Sequence, residues 1–168
     1  EKSTSGMGKL VLPNETYIKT DQYVQKNGGK LYVGNSNGIV SNSTTSGAIR
    51  QNSSSSIINY DWNDLGVNNF AYVGSANQAT GSGLPLTIAS LEINNSGNSY
   101  VNLSKDENLL ITDSLVILNG TLRNRDGNKT VTIQGDIAHF STGEGFNSTS
   151  NRAIILDGSK NQQIKGTG

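Results

Sequence analysis

Cysteine is absent from the chain, which removes disulfides, thiolate metal sites and cysteine nucleophiles together. Charge of one sign is missing as well: 13 basic and 13 acidic residues cancel. The linear sequence shows no basic cluster or aromatic-and-basic face that would attract a phosphate backbone, so nucleic acid is not expected as a partner. No apolar run approaches the roughly 18 residues of a membrane span, and the polar start Glu1-Lys2-Ser3-Thr4-Ser5 is not a signal peptide. Any export signal is expected outside these residues. Hydrophobic residues make up only 33% and aromatics 6%, so the core must be thin.

What the chain does have is short apolar pairs, spaced at every second position, the mark of a strand with one buried face. They stand at Leu86/Ile88, Leu109/Ile111, Val131/Ile133 and Ile154/Leu156, and follow one another at intervals of 23, 22 and 23. A second column runs from Leu91/Ile93 to Leu115/Ile117, at an interval of 24, with Ile137 as its continuation. A third joins Val101/Leu103 to Leu122. Three strand columns with a coil period of 22 to 24 describe an all-β, triangular parallel β-helix (β-solenoid), expected to be right-handed. Strands this short are stable only when each stacks on its equivalent in the next coil. Between columns lie Asn94-Asn95-Ser96-Gly97-Asn98, Asn119-Gly120, Asp126-Gly127-Asn128 and Asp157-Gly158, whose Gly and Asn residues suit corners.

A longer repeat overlies the coil. Gly74-Ser75-Ala76-Asn77-Gln78, then Gly81-Ser82-Gly83, returns as Gly158-Ser159-Lys160-Asn161-Gln162, then Gly166-Thr167-Gly168, at an offset of 84 or 85. This predicts two modules, 1–84 and 85–168, in one continuous solenoid that extends beyond Gly168. The first module is less regular. Leu10/Leu12 and Leu31/Val33 are 21 apart, and Leu65/Val67 precedes Leu86/Ile88 by 21. Ser41 to Ser56 is a polar stretch broken only by Gly47-Ala48-Ile49-Arg50, expected as a loop or a weakly packed coil. About seven coils at ~4.8 Å per layer would make a rod about 35 Å long.

The segment Tyr72-Val73-Gly74-Ser75-Ala76-Asn77-Gln78-Ala79-Thr80-Gly81-Ser82-Gly83-Leu84-Pro85, followed by Leu91-Glu92-Ile93-Asn94-Asn95-Ser96-Gly97, resembles the β-helical repeat regions of very large Bacteroidota cell-surface proteins. Leu115-Val116-Ile117-Leu118-Asn119-Gly120-Thr121-Leu122 and Val131-Thr132-Ile133-Gln134-Gly135-Asp136 extend the resemblance. Such proteins include gliding and adhesion proteins exported by the type IX system. The resemblance implies a cell-surface or extracellular location, with the outer-membrane export machinery as a partner. Asp113-Ser114-Leu115 fits the short O-glycosylation signal of those bacteria, which makes Ser114 a candidate modified residue.

Three function classes follow. In the first, the solenoid is a stiff stalk or fibre whose partners are neighbouring modules of the same chain. In the second, an exposed face contacts glycan or another surface. Asp61-Trp62-Asn63-Asp64 places the sole Trp between two carboxylates, so Tyr60, Asp61, Trp62, Asp64 and Tyr72 are its candidate contacts. The third is polysaccharide cleavage, which needs two carboxylates in a defined geometry. Asp106, Glu107, Asp113, Asp126, Asp136 and Asp157 are available, but nothing in their spacing selects a pair, so no enzyme is expected. No cofactor or metal is expected either. His139 is the only histidine and reads as a surface or corner residue, and Asp126-Gly127-Asn128 is at most an adventitious calcium loop. Eight Asn-x-Ser/Thr sequons arise from composition alone.

Overall fold

A computed structural model describes residues 9–20, 22–25, 29–39, 47–51, 57–60, 68–104, 107–125, 130–149 and 152–167. Strands β1 (Lys9–Leu12), β2 (Ile18–Thr20), β3 (Gln22–Gln25), β4 (Lys30–Val33), β5 (Ile49–Gln51) and β6 (Ile57–Tyr60) open the chain. They are followed by β7 (Asn69–Tyr72), β8 (Gln78–Ala79), β9 (Thr87–Asn94), β10 (Tyr100–Asn102), β11 (Leu109–Asn119) and β12 (Thr121–Asn124). The last are β13 (Val131–Ile133), β14 (Asp136–His139), β15 (Gly145–Ser148), β16 (Ile154–Leu156) and β17 (Ile164–Gly166). No helix occurs among the described residues.

Every strand pairing is parallel, and every pairing joins one coil to the next. The protein is therefore a parallel β-solenoid. A long sheet runs β1-β4-β7-β9-β11-β13-β16, with β14 beside β11 and β17 beside β14. A short sheet, β15-β12-β10-β8, forms a second wall. In the first coils, β2 pairs with β5 and β3 with β6.

Register explains why the sequence folds this way. One inward row stacks Leu10, Leu31, Phe70, Leu91, Leu115, Ile137 and Ile164 in successive layers. A parallel row stacks Ile88, Ile111, Ile133 and Leu156. Across the core, Gln78, Val101, Leu122 and Phe146 line the short sheet. Leu31, Phe70, Ile88, Leu91, Val101, Ile111 and Leu122 are fully enclosed. Each such side chain contributes about 1.5–3 kcal/mol of apolar burial, and a one-residue slip would turn the whole row to solvent.

The column pattern of the second half is as its spacing predicts, although two of its members, Leu86 and Leu156, stay exposed. Leu86 remains 36% exposed, and its contribution is backbone: its carbonyl accepts the Leu110 N–H. In the first half, Leu65 and Val67 lie outside the described residues. The layer between Leu31/Val33 and Leu91/Ile93 is supplied by Phe70 and Tyr72. The coil from Leu31 to Phe70 is consequently almost twice as long as those from Leu10 to Leu31 and from Phe70 to Leu91. Within it, the apolar break in the polar stretch is packed firmly: Ala48 and Ile49 are fully buried, and Ile49 stacks on Ile18.

Two close approaches fix the stacking. A Cβ on Gly135 would lie 1.4 Å from the Asp113 carbonyl oxygen, so only glycine lets these layers meet. On the outer surface, an ion pair between Lys30 and Glu92 spans two layers. It passes the layer of Ala71, whose small side chain lies in register between Tyr32 and Glu92 and is fully covered.

Candidate functional site

Of the glycan contacts expected from sequence, Tyr60 and Tyr72 are among the described residues. Tyr60 ends β6, where it pairs with Gln25, while Asp61, Trp62 and Asp64 lie outside the described residues. Tyr72 is not a surface aromatic. It occupies an inward row with Leu12, Val33, Ile93 and Ile117, is fully buried, and donates its hydroxyl to the Thr80 carbonyl at 2.7 Å. Burial pushes its phenol well above the ordinary range, because the phenolate would lose its hydration. No ring face is left for a sugar.

His139 also departs from expectation. It stands in that same inward row, directly above Ile117 and below Gly166. Its Nε2 is buried without a hydrogen-bond partner, against Gly145, where a Cβ would come within 2.6 Å of it. Ser114 is half-buried in β11, between Ser90 and Asp136, and its hydroxyl donates to Asp113 Oδ2 at 3.3 Å. Asp106 and Asp126 lie outside the described residues. Glu107, Asp113, Asp136 and Asp157 are exposed, and Asp136 Oδ1 accepts the Gln163 N–H at 2.9 Å. Among the described residues, no three His, Cys, Asp or Glu side chains converge on a metal position.

The corners carry the polar structure. Gln78 Oε1 accepts the Gly74 N–H at 2.9 Å, while its Nε2 donates to the carbonyls of Val33 at 3.0 Å and Asn35 at 2.8 Å in the coil below. Gln162 repeats the pattern with the Gly158 N–H at 2.9 Å and the carbonyls of Ile133 at 2.9 Å and Gly135 at 2.8 Å. The longer of the two sequence repeats is thus a repeated hydrogen-bonding unit. Outside the first of these corners lies a polar groove of about 150 Å³ bordered by Asn14, Glu15, Ser36, Ser75 and Asn77. Asn14 Nδ2 donates to Ser75 Oγ at 2.7 Å, and Glu15 Oε1 accepts the Ser36 N–H at 3.2 Å. These bonds tie coils together and use much of the groove's polar lining.

A different face gathers chemistry that the linear sequence conceals. Because side chains alternate, Val101 and Leu122 point into the core while Tyr100, Asn102 and Arg123 point out from the short sheet. Arg123 lies over the Tyr100 ring, 3.6 Å from its centroid. In register above and below it are Asn147 and Asn102. Arg125 lies just beyond it along the chain and donates from Nε to Asn147 Oδ1 at 2.8 Å. Arg152 reaches back from the next corner, its Nη1 3.5 Å from the Asn124 carbonyl. Three of the chain's four arginines therefore meet on one wall. The coil period brings Arg152 back beside the other two and Tyr100 beneath Arg123, and aligning the sequence by coil is the signal that would have revealed it.

Compared with known proteins, the chain matches no family model, no curated protein and no solved structure at a significant level.

Proposed function

We propose that this chain is a structural and adhesive segment of a large bacterial cell-surface or secreted protein, acting as a stiff stalk or fibre. The observation that carries this reading is the uninterrupted inward row from Leu10 to Ile164, in which every layer rests on the one before it. Seven strands in series at about 4.8 Å span about 30 Å, with the layers locked by backbone bonds along the axis. Such a stack transmits force from coil to coil and keeps its length without a globular core. The resemblance to β-helical surface repeats supports the surface location and export by the type IX route.

Single-molecule pulling on the 168-residue chain, held at its two ends, tests the spacer reading. The expected trace holds its length at low force and then lengthens in discrete steps, each releasing about one coil. Smooth extension from zero force, as for a flexible linker, would overturn it.

A further inference from the structure

Beyond the spacer role, and independent of it, the geometry points to a second function: we infer that the outer face of the short sheet, centred on Arg123, binds the carboxylate groups of an acidic polysaccharide. The argument begins with Arg123 itself. It is half-buried and stacked on Tyr100, and its Nε is buried without a hydrogen-bond partner. No carboxylate pairs with it among the described residues, where the one ion pair is Lys30 with Glu92. An arginine held in place by an aromatic ring, without a carboxylate, keeps its two terminal Nη donors for an outside anion, while the buried Nε faces the wall.

The surroundings narrow the class. Arg125 and Arg152 add positive charge at the same corner, and among the described residues Glu144 is tied into the cluster, where it accepts from Asn147 Nδ2. A planar carboxylate matches a guanidinium in bidentate fashion. One strand spacing away on one side, Asn102 offers an amide that both donates and accepts, the chemistry that sugar hydroxyls require, while on the other side the Asn147 amide is held between Arg125 and Glu144 and fixes the edge of the site. The site is an open sheet wall, which suits a polymer laid across it. A cluster of three arginines is too small for the many phosphate contacts on which nucleic-acid affinity rests. Carboxylate beside hydroxyls is the signature of a uronate sugar, whereas an acidic peptide supplies only the first.

The test is binding of polygalacturonate to the 168-residue chain, with neutral dextran, dextran sulfate, poly-glutamate and single-stranded DNA in parallel. Expected is salt-sensitive binding of polygalacturonate, with neutral dextran inert. Arg123→Gln should weaken it at least tenfold, Arg125→Gln several-fold, and Arg123→Lys several-fold because a point charge replaces the fork. Lys9→Gln, in the first coil, should leave it unchanged. Urea midpoints confirm that each variant is folded, and the exposed Arg125 gives a readout even if Arg123→Gln destabilises the wall. Equal losses in Lys9→Gln and Arg123→Gln, or an unaltered Arg123→Gln, would overturn the site. Arg123-dependent binding of poly-glutamate or DNA as tight as that of polygalacturonate would overturn the saccharide class. Tighter binding of dextran sulfate would overturn the assignment to carboxylate.

Discussion

Gln78 and Gln162, equivalent positions of the longer sequence repeat, make the same three hydrogen bonds at two different corners of the solenoid. Gln78 leads from the long sheet into the short one, where it stacks on Val101. Gln162 instead precedes β17, which returns to the long sheet on β14. The two sites differ in burial, and that difference sets an order of stability effects. Around Gln78, Val33 O also accepts from Val73, Asn35 O from Gly38, and the Gly74 N–H also reaches Asn95 Oδ1. Gln78→Leu therefore removes three bonds without orphaning a backbone group, at about 2–3 kcal/mol. Gln78→Glu is expected to cost more, because a buried carboxylate cannot donate to two carbonyls. Gln162 is only part-buried, so water replaces the lost bonds and Gln162→Leu should cost about 1 kcal/mol. Urea midpoints of the three variants check the ranking.

The legible part of this fold was the part set by alternation. Inward rows demand an apolar residue at every second position, so the 23, 22, 23 spacing from Leu86 to Ile154 could be read directly. The coil from Leu31 to Phe70 could not, because Leu65/Val67 offered an equally apolar pair at the usual spacing. Stacking on Leu31 and Val33 selects Phe70 and Tyr72 instead, and a coil of nearly double length results. His139 hid for a related reason: a polar residue at an inward position breaks the alternation that identifies the row. The arginine wall was invisible because it depends on which residues share a layer, a property of register and not of local sequence.

Two glycines separate backbone strain from steric clash. Gly97 has φ of +72°, yet a Cβ there would meet nothing nearer than Ser99 Oγ at 4.0 Å. Gly97→Ala should therefore cost about 1 kcal/mol, the strain of a left-handed residue alone. Gly135 shows the reverse case, since its Cβ would lie 1.4 Å from the Asp113 carbonyl oxygen. Gly135→Ala must separate two layers and should cost about 3 kcal/mol or more. Chemical denaturation gives both values. A Gly97→Ala variant as damaging as Gly135→Ala would show that the corner, and not the layer spacing, limits stability.

Tyr72 predicts how stability depends on alkaline pH. Its folded phenol is raised above the ordinary value near 10 by desolvation alone. Its stabilising contribution is thus complete below pH ~10 and is lost as pH rises from there, because the unfolded chain releases the proton first. Tyr72→Phe removes that linkage. It also removes one hydrogen bond to Thr80 O, which keeps its bond from the Ile39 N–H, so the cost at neutral pH should be about 1 kcal/mol. The urea midpoint of the parent chain should fall more steeply than that of Tyr72→Phe between pH 9 and 11 (a range set by the ~10 reference value). Parallel curves for the two proteins would contradict the assignment.

The last described layer leaves apolar side chains uncovered. Leu156 stacks on Ile133 and Ile164 on Ile137, both in inward rows, yet they are 45% and 69% exposed. In the layer beneath, with a further coil above it, Ile133 is buried and Ile137 half-buried, and one layer deeper Leu115 is buried. β16 and β17 also present a strand edge that pairs with no other described strand, a template for another parallel strand. The 168-residue chain is therefore expected to associate through this end in a concentration-dependent way. Ile164→Lys places a charge on the uncovered row and should suppress association while leaving the urea midpoint nearly unchanged, since an exposed side chain contributes little to folding. Sedimentation velocity over a hundredfold range of concentration distinguishes the outcomes. A monomer at every concentration, or association that persists undiminished in Ile164→Lys, would mean that this end does not drive association.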